Sequence, residues 1–139
     1  MHQYSANGFC TNTVLTCDTP YEAYTVADDG VYHVANGGQF LKFTAFLNTN
    51  KVAFAGSIVL DGDCDLESRS FAGLATNNTY PFCGTFDGKG HSISNKVISS
   101  SARYVGLFPF TRGCTIRDFS LYGSVTSTYT NTTTGSTAA

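Results

Sequence analysis

Two stretches of this sequence hold side chains whose types and spacing could do chemistry. In "LDGDCDLE", Asp61, Asp63 and Asp65 alternate. Alternation along an extended strand would set three carboxylates on one face, which is how oxygen ligands gather around a hard cation such as calcium. In "PFCGTFDGKGHSIS", residues 81–94, Asp87 and His91 stand among three glycines. Those are ingredients of an acid–base pair or of a phosphate-cradling loop.

Each chemistry makes further demands, and the residues meet few of them. A phosphate loop needs G-x-x-x-x-G-K-[ST] opening a helix, so that backbone N–H groups face the phosphates. Here Gly84 to Gly88 is one residue short, Lys89 is followed by Gly90, and a strand-like pattern follows. No nucleophile stands at a defined spacing from Asp87 and His91, and a turn aspartate bonding its own backbone accounts for the carboxylate without a substrate. As an EF-hand loop, the aspartate stretch would need Gly at its sixth position and Glu at its twelfth; those positions hold Leu66 and Ala72. An amphipathic strand with Ile58, Leu60, Cys64 and Leu66 inward and the carboxylates in water is the favoured reading. His2, His33 and His91 are too scattered for zinc, and no G-x-S-x-G is present. The expectation is a chain that is not an enzyme, with no catalytic, cofactor-binding or metal-ligating residues.

The surrounding elements agree with that. A chain of 139 residues suits one domain, large enough to bury a core. A net charge of −2, with 13% charged residues of both signs, lacks the basic footprint of a nucleic-acid binder. No run approaches the ~20 apolar residues that span a bilayer, and "MHQYSANGF" lacks a signal peptide's basic start and apolar run. Thr, Ser, Asn, Gly, Phe and Tyr favour pleated surfaces, so the class expected is mostly β. Of five cysteines, Cys10 and Cys17 are the expected bridge, in a loop-like polar segment. Cys64 and Cys114 are read equally well as free buried thiols, and the cysteine count points to an oxidising compartment.

Along the chain, residues 1–30 read as an irregular leader contributing few core residues. Residues 31–125 carry the structure. A short strand, Val31 to Val34, leads to Asn36, with Gln39 three positions on and Phe40, Phe43, Phe46 and Leu47 at helical spacing. This predicts one amphipathic helix ending near Asn48. Short apolar runs broken by Gly, Asp and Asn follow. "GHSISNKVI" (Gly90 to Ile98) matches "GCTIRDFSL" (Gly113 to Leu121) at a shift of 23 residues. Such a period suits one turn of a parallel β-solenoid, with Ile93 on Ile116, Ile98 on Leu121, and Gly88, Gly90, Gly113, Asn95 and Asp118 at corners. The fold expected is a right-handed parallel β-helix with an N-terminal amphipathic capping helix. Residues 126–139, nearly pure Thr, Ser, Asn and Gly, read as a linker or a truncated next turn, with further turns expected in a parent chain.

"FCGTFDGKGHSISN", "YVGLF" (Tyr104 to Phe108) and "GCTIRDF" (Gly113 to Phe119), together with the upstream "VYHVANGGQFLKFTAFLN" and "IVLDGDCDL", resemble GLUG-motif right-handed β-helix proteins over roughly residues 30–125. Pro109 and Lys96 depart from the usual pattern, which has Gly and an apolar residue there. The resemblance implies a large, secreted or wall-anchored bacterial surface protein, adhesin-like in many cases, whose motif has no agreed catalytic residues. The function expected is therefore a non-enzymatic extracellular scaffold, with a glycan or a host or cell-wall surface as partner and without nucleic acid or membrane insertion. A carbohydrate-binding module is one alternative, with Tyr80, Tyr104, Tyr122 and Tyr129 as exposed aromatic faces. A fragment of a β-helix polysaccharide lyase is another; it would need acidic partners for Lys89, Lys96, Arg103, Arg112 and Arg117. Asn77 and Asn131 form glycosylation acceptors, relevant only to a eukaryotic secretory pathway.

Overall fold

Asn36 starts the helix. In the computed structural model, which describes residues 4–11 and 20–130, its side chain accepts the Gln39 N–H at 2.9 Å. Gln39 reaches back to accept the Ala35 N–H at 2.7 Å. One of the donors that every helix start leaves without a partner is thus satisfied locally, and the residue before the cap is fixed by the returning side chain. The helix, α1, runs Gly37–Thr49 and buries Phe40, Leu41, Phe43 and Leu47. Its first turn is glycine because the backbone there is crowded: a Cβ on Gly37 would lie 1.9 Å from the Asp65 carbonyl oxygen, and one on Gly38 1.8 Å from that of Gly8.

The strands are β1 (Thr25–Val26), β2 (Tyr32–Val34), β3 (Ser57–Leu60), β4 (Cys64–Asp65), β5 (Ser70–Phe71), β6 (Thr85–Asp87), β7 (Ser92–Ser100), β8 (Thr115–Arg117) and β9 (Ser120–Ser127). They form two sheets. One has the order β1-β2-β3-β6-β8, and the other is β4-β7-β5 with β9 on the free side of β7. All pairings between named strands are parallel except β1 with β2. Both sheets and α1 share one core. Phe40 meets Phe71 and Phe86 edge-on, and Phe86 also meets Phe108 and Phe119. Edge-to-face rings fill such a core while satisfying the ring quadrupoles.

The expected right-handed parallel β-helix, and with it the mostly-β class, is not what forms. The molecule is mixed α/β. Apart from β7 and β9, its strands are two to four residues long, and the two short sheets do not stack as the turns of such a helix. The expected partners also fail to meet: Ile93 faces Leu121, Ile98 faces Val125, and Ile116 faces Phe86. What repeats at 23 residues is local backbone. Gly90 and Gly113 have φ 80° and 60°, and Asn95 and Asp118 have φ 55° and 60°, so the matched residues mark equivalent bends. Pairing is set instead by the longer crossovers between strands.

From the leader, Phe9 is buried and Tyr21 and Tyr24 pack against the core. Cys10 is disulfide-bonded; Cys17, its expected partner, lies outside the described residues, as does Asn131. Cys64 is free and buried, and Cys83 and Cys114 are free and half-buried. Burial, helped by the neighbouring Asp63 charge, pushes the Cys64 thiol up to about 12, so it behaves as a small apolar side chain. No described helix is long and apolar enough to cross a membrane.

The outer strands β8 and β9 end the two sheets. Ile116, Leu121 and Val125 are 37%, 40% and 42% exposed there. β9, "SLYGSVTS", carries neither charge nor proline.

Candidate functional site: a cleft between two loops

The crossover from β5 to β6 and the crossover from β7 to β8 lie side by side because their backbones are tied together. Phe82 bridges Thr111 in parallel. The Phe82 N–H donates to the Phe110 carbonyl at 2.9 Å, and the Arg112 N–H donates to the Phe82 carbonyl at 3.0 Å. The Leu74 N–H donates to the Leu107 carbonyl at 2.7 Å. Apolar packing fixes the inward side of the second loop: Leu107 is buried, and Phe108 lies against the rings of Phe82 and Phe86. Tyr104 and Phe110 instead pack edge-to-face with each other at 5.5 Å, and Tyr104 is 55% exposed.

Between the loops opens a cleft of about 440 Å³ lined by Asn78, Pro81, Tyr104, Pro109, Phe110, Thr111 and Arg112. That falls within the roughly 300–1,000 Å³ typical of small-ligand sites. The Arg103 guanidinium lies 5.7 Å from the centre of the Tyr104 ring. Neither Arg103 nor Arg112 forms an ion pair among the described residues. The cleft offers ring faces, an amide, a hydroxyl and a guanidinium, and no acidic residue or histidine lines it.

The sequence-selected carboxylates are occupied elsewhere. Asp61 meets His33 Nδ1 at 2.9 Å. Asp63 meets His91 Nδ1 at 3.2 Å and accepts the Ser92 N–H at 3.0 Å. Asp65 accepts from the Glu67 N–H at 2.8 Å and from the Asn95 amide at 2.9 Å. The three aspartates therefore bind different strands and turns and do not converge, and no group of three or more His, Cys, Asp or Glu among the described residues could hold a metal ion. Asp87 and His91 do not pair either. Asp87 accepts the Lys89 N–H at 3.0 Å, the turn bond expected of it, and faces Lys89 Nζ at 3.5 Å and Arg117 at 3.2 Å.

These bonds make Asp63 and Asp87 staples between chain segments. The Ser92 N–H, followed by the His91 ring, holds the Asp63 carboxyl below the usual carboxylate range. For Asp87 the Lys89 N–H acts first and Arg117 adds to it, against the opposing effect of burial. A carboxyl depressed in the folded state contributes stability that is present above its unfolded value of about 3.9 and is lost as pH falls through the folded value. The melting temperature is therefore expected to fall progressively as the pH is taken below about 4. Asp87→Asn should melt lower at pH 7 and show a shallower acid decline than wild type; parallel declines would refute the assignment.

Of the tyrosines singled out from sequence, Tyr104 lines the cleft, Tyr122 stands exposed on β9, and Tyr80 and Tyr129 are half-buried. Phe110, Asn78 and Thr111 were not indicated by the pattern. The available signal was the pair Arg103 and Arg112 bracketing an aromatic run. Of the other cations named for a lyase, Lys89 and Arg117 are held by Asp87, and Lys96 is buried. Comparison with family models, curated proteins and solved structures gives no match to this chain.

Proposed function

We propose that the chain is a non-enzymatic extracellular scaffold, an adhesin-like module of a surface protein, that holds glycans in the cleft around Tyr104 and Phe110. The observation that carries this reading is the composition of the cleft: the exposed Tyr104 ring and the half-buried Phe110 ring beside hydrogen-bonding side chains, on loops anchored to a packed core. Sugars present alternating C–H faces and hydroxyls, which suit such a surface. The acid and base groups that could do catalysis are engaged in joining strands. The disulfide at Cys10 supports an oxidising compartment, and the resemblance of residues 30–125 to GLUG-motif surface proteins supports the cell exterior.

The test is an array of immobilised neutral and acidic glycans. Wild type is expected to hold a subset of them, and Tyr104→Ala to weaken that binding about tenfold, the loss of one stacked ring, with an unchanged melting temperature. Retention of no glycan above background by the wild type would remove the proposal.

A further inference from the structure

We infer that the glycan held in this cleft carries a carboxylate, as uronic acid residues do, and that Arg112 binds it. The inference rests on the glycan reading of the cleft and adds the charge of the ligand.

The first support is electrostatic. Arg112 lines the cleft, Arg103 stands beside Tyr104, and no acidic side chain lines the same space. The other arginines are committed: Arg117 binds Asp87 at 3.2 Å, and Arg69 lies 4.1 Å from the Phe9 ring centre and 4.0 Å from Glu67. The chain as a whole is negative, at −2, so attraction for an anion is local to this opening and not a property of the whole surface. A planar guanidinium matches the two oxygens of a carboxylate, and such charge-assisted pairs are about twice as strong as neutral ones.

The second support is the kind of contact available. At the junction of the walls the Phe82 N–H and carbonyl are already paired, with Phe110 and Arg112. The N-terminus of α1, the usual backbone seat for a phosphate, is crowded by Gly8 and Asp65. Recognition at the cleft falls to side chains: rings for a sugar face, Asn78 and Thr111 for hydroxyls, and Arg112 for the carboxylate.

The experiment compares binding of the full chain to polygalacturonate, to its fully methyl-esterified form and to neutral dextran. Each is measured with wild type, Arg112→Gln, Tyr104→Ala and Lys51→Gln, the last removing the same charge outside the cleft. The expected result is binding to polygalacturonate that falls about tenfold on esterification and about tenfold in Arg112→Gln, with Lys51→Gln like wild type and all melting temperatures alike. Equal binding of the acid and its ester, lost in Tyr104→Ala, would overturn the carboxylate and leave the glycan reading standing. An equal loss in Lys51→Gln and Arg112→Gln would overturn the role of Arg112. No binding of the acid, with neutral glycans held on the array, would overturn this inference alone; silence from every glycan would overturn both.

Discussion

Replacing Phe86 with alanine is expected to lower the unfolding free energy by about 3–5 kcal/mol, the range for emptying a buried aromatic site. Phe86 is fully buried, and it is the ring at which β6 meets α1 and two loops, touching Phe40, Phe108 and Phe119. Little can collapse into the vacancy, because its neighbours are held by separate elements. Ile116 is the internal control. It sits opposite Phe86 in the next strand, but its exposure means that Ile116→Ala should lose less than about 1 kcal/mol. Denaturant unfolding of both variants checks the contrast. Against a total stability of about 5–15 kcal/mol, the Phe86 variant should be near its folding limit; similar losses at the two sites would mean that the core does not end between β6 and β8.

The second large effect is expected where a helix-favouring residue should do harm. In an exposed helix, glycine to alanine stabilises by about 1 kcal/mol. Gly37→Ala should instead destabilise by about 3 kcal/mol, the cost of forcing a methyl into a packed site. The added Cβ would fall 1.9 Å from the Asp65 carbonyl oxygen, and that atom belongs to backbone rather than to a side chain able to swing aside. Asp65 is itself held by Glu67 and Asn95, so moving it disturbs the pairing of β4 with β7. Lys51→Ala provides the comparison, at an exposed position beyond the helix end. A melting temperature for Gly37→Ala at or above wild type would show that the junction of α1 and β4 yields easily.

How much of this was legible beforehand follows from the range of each signal. The helix start was legible because Asn36 and Gln39 act on backbone groups within a few residues. The bends at Gly90, Asn95, Gly113 and Asp118 were legible because left-handed backbone favours those residue types. Register was not. Whether Ile93 meets Ile116 or Leu121 depends on how much chain the loop from Ala102 to Cys114 takes up, and the residues inside that loop carry no mark of its path. The reading of a β-helix fails at this step, because identical local bends do not make the residues between them stacked neighbours.

The candidate site was hidden for a related reason. Asn78 and Pro81 are brought to Tyr104 and Phe110 by the Phe82–Thr111 bridge and the Leu74–Leu107 bond. Nothing in "YVGLFPF" says that Phe108 turns inward and Phe110 outward. The aspartates erred in the opposite sense. Their alternation suggested one shared face, while their partners His33, His91 and Asn95 come from different strands and turns.

The uncovered rim formed by β8 and β9 has a consequence for handling the molecule. Along the eight-residue β9, the amides and carbonyls that turn away from β7 meet no partner strand among the described residues, and no lysine or proline guards them, so any extended backbone that arrives finds a template already laid out. Concentrated stocks should be kept honest by light scattering, and a lysine placed at Val125 offers the simplest guard.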